Sequence, residues 1–252
     1  MLRFRLTPCL LIRENGLVKT VNFNSAKYIG DPLNVVKIFN EKEVDELIVL
    51  DIDATSNNFE PDLIMIKNLA SECRMPLCYG GGVSSVNQIQ EIISLGVEKV
   101  ALSSSALLNP SLISKAAQAV GSQSVVVVID LKKRRFSSKY DVYSHNGTKK
   151  YKKDFLEWAK EVQSLGAGEI VLNSIDKDGT MEGYDYGLVK LVREVVSLPL
   201  TVLGGAGTLN DVVELKKNFG IIGAAAGSLF VFKGKYKAVL VNYPDISQKN
   251  KL

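Results

Sequence analysis

The chain is poor in the residues that most often carry metal or nucleophilic chemistry. Its 252 residues include one histidine, three cysteines and one tryptophan. A single histidine, His145, excludes a multi-histidine metal centre. It also disfavours a histidine-based triad, because it sits beside the turn-like pair Asn146-Gly147, where a base is poorly held; the expectation is a solvated surface residue. Cys9, Cys73 and Cys78 are odd in number and irregular in spacing, so they do not form a disulfide framework. No histidine lies near Cys73 or Cys78, and neither metal nor cofactor is indicated. No apolar run is long enough to cross a bilayer, and the start of the chain lacks a signal-peptide layout, so the expected location is cytoplasmic. The excess of basic residues gives a net charge of only +4, too little to argue for nucleic acid.

What the chain does have is alternation. Short apolar runs fall near residues 4–12, 46–53, 76–80, 99–103, 124–131, 169–175, 199–203 and 221–226. Helical patterns lie near 32–43, 59–73, 85–95, 110–120, 153–165, 185–196, 208–218 and 233–241. Runs such as Val125–Ile129, apolar at every position, suit strands buried on both faces. Eight strands alternating with eight helices predict parallel βαβ units.

An internal repeat chooses between an open sheet and a barrel. Glu46–Asp53 resembles Glu169–Asp176, Gly80-Gly81-Gly82 resembles Gly204-Gly205-Ala206, and Ser103-Ser104 matches Gly227-Ser228, all about half the chain apart. This predicts one (β/α)8 TIM barrel over 1–252, made of two half-barrels near 1–122 and 123–246.

In such a barrel the loops after the strands build the site. Gly-rich turns expose backbone N–H groups that bind phosphate. Gly81, Gly82, Ser103 and Ser104 form one candidate phosphate site, and Asp178, Gly179, Gly205, Gly227 and Ser228 a second. The alternative is that these glycines only make tight turns. Asp51, Asp53, Asp130, Asp176 and Asp178 are candidate acids and bases at strand ends, with Asp130 at the expected catalytic position. Lys19 follows the first strand and either contacts phosphate, gates the mouth or is solvated. A basic stretch, Lys132-Lys133-Arg134-Arg135 and then Lys149–Lys153, reads either as a solvated loop or as a collar that attracts anions. At the other end of the barrel, Arg5, Glu46, Lys99 and Glu169 begin four strands. Charges beneath a packed core are costly unless paired, so a ring that gates an axial passage is expected there.

Several stretches together resemble the cyclase subunit of imidazole glycerol phosphate synthase: Thr7-Pro8-Cys9-Leu10, Lys19, Val21-Asn22-Phe23, Gly30-Asp31-Pro32, Tyr79–Val83, Val128-Ile129-Asp130, Gly166–Ile170, Ser174–Thr180 and Gly204–Gly207. The resemblance covers nearly the whole chain. It implies a HisH-like glutaminase docked on the barrel bottom near Asp45, Glu98 and Gln123. It also implies ammonia passing a gate of Arg5, Glu46, Lys99 and Glu169, and a bisphosphorylated substrate at the top, with Asp130 as one catalytic aspartate. The second catalytic aspartate of that family is Leu11 here, which cannot carry a proton. The segments Pro8-Cys9-Leu10-Leu11 and Leu77–Gly82 are closer to a paralogous branch. That branch works with a glutaminase homologue and an ATP-dependent amidotransferase in adding acetamidino groups to bacterial surface sugars. Three functions therefore stand: an ammonia-delivering subunit for sugar amidination, a true cyclase of histidine biosynthesis with Asp51 or Asp176 in place of the lost group, and a non-catalytic phosphate-binding scaffold.

Overall fold

The computed structural model describes residues 4–135, 137 and 139–249. Eight parallel strands close on themselves: β1 (Arg5–Arg13), β2 (Leu47–Asp51), β3 (Leu77–Gly80), β4 (Lys99–Leu102), β5 (Val125–Lys133), β6 (Glu169–Ser174), β7 (Leu200–Leu203) and β8 (Gly223–Ala226). Closure runs through β8, where Arg5 lies opposite Gly223 and Ala224 opposite both Leu6 and Val202. The (β/α)8 expectation holds.

Seven helices cover the outside: α1 (Pro32–Glu41), α2 (Leu63–Glu72), α3 (Val86–Ser94), α4 (Ser111–Val120), α5 (Phe155–Ser164), α6 (Tyr186–Arg193) and α7 (Leu209–Phe219). Their starts follow from local chemistry. Asp31, Asp62, Asp154 and Asp185 each accept backbone N–H bonds at an N-cap. Ser85 with Gln88, and Thr208 with Asp211, form reciprocal capping boxes. The apolar faces bury Phe39, Ile66, Ile89, Ile113, Trp158, Val189 and Leu215 against the outer face of the strands.

The pleat sends alternate strand residues to opposite faces. Cys9, Ile48, Cys78, Ala101, Val126, Val128, Val171, Leu203 and Ala225 accordingly form a core of their own inside the barrel, with Leu11 and Leu50 against it.

The helix expected over 233–241 does not form. A one-turn helix, Ser228–Val231, is followed by a tight hairpin pairing Phe232–Lys233 with Ala238–Val239. Gly234 at φ +73 turns the chain where a helix would need an ordinary residue. The chain then runs down the outside of β1 to a last short helix, Ile246–Lys249. Two hairpins were also hidden in the loops. Gly16–Val21 pairs with Asn24–Gly30 after β1, and Tyr140–Ser144 pairs with Lys149–Tyr151 after β5. The turn around Asn146-Gly147 was legible in the sequence; the first hairpin was not.

The descending segment is fixed by Tyr243, whose buried hydroxyl donates to the Leu6 carbonyl (2.7 Å) and accepts from Asp45 N–H (3.3 Å). Tyr243→Phe would leave both backbone groups unpaired and is expected to lower stability by about 1–2 kcal/mol, seen as a lower urea midpoint at unchanged m-value.

Candidate functional site

At the bottom of the barrel four charges form a closed ring. Arg5 pairs with Glu46 (2.9 Å) and Glu169 (2.6 Å), and Lys99 pairs with the same two carboxylates (2.6 and 2.8 Å). Signs alternate round the ring, so each charge faces two opposite neighbours. Thr201 donates its hydroxyl to Glu169 at 2.5 Å. Both carboxylates are only 5% exposed. Burial acts to raise the Glu169 carboxyl, but Lys99 and Arg5 overcome it and the net shift is downward. For Lys99 and Arg5 burial acts downward, and attraction to Glu169 and Glu46 wins, leaving both raised. The expected gate residues are thus brought together, with the apolar inner core directly above them.

At the top the barrel opens into a cavity of about 480 Å³. Asp130 reaches it from the end of β5. Its Oδ1 accepts from Asn173 Nδ2 (2.8 Å) and its Oδ2 from Ser103 Oγ (3.3 Å). Burial pushes the Asp130 carboxyl up to about 6, against the pull of those two hydrogen bonds, and the charge of Asp178 adds to the rise. Leu11 lies on β1, opposite β5 in strand order, and also lines the cavity. Leu11, Leu50 and Leu203 add apolar surface to the cavity.

The two candidate phosphate sites are treated differently. Gly81, Gly82, Ser103 and Ser104 all line the cavity, with Ser104 opening a one-turn helix, Ser104–Leu108. Gly81 holds φ +124, and a side chain there would strike the Asp51 carbonyl. Of the second set only Asp178 and Gly227 line the cavity. Gly179 packs on the Thr20 carbonyl and Gly205 on that of Gly183. Ser228 is buried, its hydroxyl without a partner. The first hairpin causes this: Asn22 N–H donates to Asp178 O (2.9 Å), and Lys19 Nζ and Thr20 Oγ1 bind the Asp178 carboxylate, each at 2.7 Å. Lys19 is buried in an ion pair rather than solvated, and it lines the cavity.

Other expectations need correction. His145 is not a solvated residue. Its hairpin folds over the mouth, the ring lines the cavity, and Nδ1 lies 2.7 Å from Ser144 Oγ. Three cations of the basic collar are paired: Arg134 and Lys150 converge on Asp141 (2.6 Å each) and Lys153 pairs with Glu161 (2.7 Å). None of these cations lines the cavity. Asp176 is exposed, accepts from Lys133 N–H at 2.6 Å, and lies off the cavity wall; Asp53 pairs with Arg13 at 3.0 Å. Asp51 does line it, its Oδ1 bound by two backbone N–H groups, and burial raises its carboxyl.

The comparisons with known proteins agree with this geometry. The family described as histidine biosynthesis protein matches residues 5–237. The chain belongs to that family. A Vibrio vulnificus (strain YJ016) relative, named "putative imidazole glycerol phosphate synthase subunit hisF3", is 59% identical, covering 100% of this chain and 96% of its own. A Pseudomonas aeruginosa relative with the same style of name, ending hisF2, is 50% identical over 98% of both chains. The imidazole glycerol phosphate synthase subunit HisF of Streptococcus mutans is 40% identical over 91% of both. This is a HisF-like barrel of the imidazole glycerol phosphate synthase family.

In this HisF-like barrel Asp45 and Glu98 sit directly beside ring residues on the bottom face. Asp45 accepts from Leu6 N–H and from Lys249, and Glu98 from Leu77 N–H. Gln123 is exposed in the turn before β5. The sequence reading missed Asn173, whose only signal is its inward register at the end of β6 beside Asp130. It also did not place Phe23 and Phe59 on the cavity wall.

Two outcomes follow. Glu169→Gln leaves Arg5 and Lys99 short of a partner and is expected to cost about 3–5 kcal/mol in denaturant unfolding. Because the folded Glu169 value is depressed, its contribution is present above the ordinary glutamate value and lost as pH falls through the folded one. The variant should therefore show a weaker loss of stability in acid than the parent. Asp130→Asn should raise stability by about 1–3 kcal/mol at pH 7.5. The raised carboxyl penalises the folded state only once ionised, so this gain should shrink as pH falls from about 6 towards 4. A gain independent of pH would contradict the assignment.

Proposed function

We propose that this barrel receives ammonia from a HisH-like glutaminase on its bottom face and passes it to an acceptor at the top, in the making of acetamidino groups on surface sugars. The observation that carries the reading is the pairing of an intact charge ring below with Leu11 facing Asp130 above. A ring of two buried carboxylates and two half-buried cations is poor as a stability device, because apolar side chains of equal volume commonly do as well. Its retention makes sense if something passes it. The apolar interior beyond it favours neutral ammonia over ammonium, since an unpaired ion there is strongly disfavoured. Thr7, next inward from Arg5 on β1, is buried with its hydroxyl unpartnered, and offers one hydrogen bond between ring and apolar core.

Above the core, Asp130 has its carboxyl raised to about 6, while Leu11 on the strand across the barrel carries no group that transfers a proton. Ring closure that needs an acid–base pair would lose about 10²–10⁴ in rate. An ammonia donor needs no such pair. Activation of the acceptor then falls to an ATP-dependent amidotransferase, and the barrel contributes delivery and shelter from water. Relatives whose names carry the hisF2 and hisF3 labels are 50–59% identical, against 40% for the Streptococcus mutans HisF, which supports a separate branch.

Asp51, on the cavity wall with a raised carboxyl, favours the second reading, a true cyclase that uses it in place of the lost aspartate. The deciding experiment is turnover of the purified barrel with saturating ammonium and the bisphosphorylated ribulosyl-formimino-aminoimidazole, beside Leu11→Asp. The delivery reading expects no useful turnover from the parent, together with stable binding of its glutaminase. Formation of imidazole glycerol phosphate at an ordinary enzymatic rate by the parent would overturn it. So would failure of the folded barrel to bind any glutaminase, which would leave the phosphate-binding scaffold.

A further inference from the structure

Two hairpins rise side by side from the top ends of neighbouring strands β1 and β8. One is Gly16–Val21 with Asn24–Gly30. The other, Phe232–Lys233 with Ala238–Val239, stands where the alternation calls for a helix. They are tied together by Lys27, whose Nζ donates to the Lys237 carbonyl (3.0 Å) and lies 5.1 Å from the Phe232 ring centroid. Between them is a groove of about 360 Å³, lined by Ser25, Lys27, Lys235, Tyr236 and Lys237. It is separate from the mouth, touching it only across Lys19 and Thr20.

The chemistry of this groove is one-sided. No carboxylate lines it, and Lys19 at its inner wall is already paired with Asp178. Among the described residues Lys27, Lys235 and Lys237 make no ion pair. Three lysines lining one concave surface attract anions. Tyr236, next to two of them, is 89% exposed, a flat aromatic face turned to solvent. In the collar after β5, by comparison, Arg134 and Lys150 meet Asp141 and Lys153 meets Glu161. A volume of this size is that of a small-molecule site.

We propose that the groove between the two hairpins binds a nucleotide-type ligand, its phosphate chain held by Lys27, Lys235 and Lys237 and its ring against Tyr236. The site is distinct from the barrel mouth, and its existence does not depend on the acceptor chemistry proposed above.

Calorimetric titration of the whole protein with inorganic pyrophosphate, ADP and UDP tests this. Lysine acetylation read by mass spectrometry locates the site. Binding is expected to weaken with added salt, and to fall about tenfold or more in the Lys235→Ala/Lys237→Ala double variant. Tyr236→Ala should weaken ADP or UDP several-fold while leaving pyrophosphate unchanged, a split that general loss of positive charge would not produce. Bound ligand should protect Lys27, Lys235 and Lys237 from acetylation. Absence of binding overturns the proposal, as does protection confined to the mouth. A polyglutamate peptide that binds where pyrophosphate and nucleotides do not would reassign the groove to an acidic protein. Loss of a solution dimer in the double variant would reassign it to contact between copies.

Discussion

Closing eight parallel strands on themselves leaves an interior that only alternate residues can reach, and every layer of it must be filled. β1 shows the consequence most directly. Arg5, Thr7, Cys9 and Leu11 are successive inward positions, and they run from ion-pair ring through apolar core to cavity wall. The same two-residue step places Glu46 just before β2 with Ile48 and Leu50 on it, Lys99, Ala101 and Ser103 from β4, and Glu169, Val171 and Asn173 on β6. Function at both ends is therefore written into single strands, and a change of register by one residue would exchange it for the outer core.

The ring depends on this constraint. Arg5 and Lys99 each reach both carboxylates because four strands present their bottom residues at one level around a narrow axis. Burial opposes all four charges, and alternating signs are what make the arrangement tolerable. At the top the constraint is looser. Asp130 is held by neighbours on either side of β5, Asn173 from β6 and Ser103 after β4, and its carboxyl is left near neutrality by burial. Leu11, on the strand across the barrel, carries no charge and joins the cavity wall to the apolar core beneath it.

The hairpins show what the barrel leaves undetermined. Nothing in closure dictates how β1 connects to α1, and the chain uses that freedom to lay a two-stranded strap over the C-terminal half of the mouth, anchored by Lys19, Thr20 and Asn22 on the loop after β6. The two halves share the turn geometry, with Gly81 at φ +124 and Gly205 at φ +114. Only the first half keeps its turn open to the cavity. Likewise the eighth covering element is an extended segment rather than a helix, because Gly234 and a lysine-rich turn interrupt it, and Tyr243 anchors it to β1 instead.

The sequence by itself determined the barrel, the positions of its strands, the four charged residues at strand starts and Asp130 at the end of an apolar strand. These follow from periodicity, from an internal repeat and from a strict two-residue alternation, all of which are local properties of the chain. Only the tertiary structure decided that Lys19 is locked to Asp178, that Asp176 lies off the cavity and Asp51 on it, that His145 lines the mouth, and that Asn173 supports Asp130. Each of those depends on contacts between segments far apart in the chain, made by loops whose paths no periodicity encodes. The same reason hid the groove between the hairpins, since Lys27 and Lys237 meet only after the sheet has closed and brought the first and last strands together.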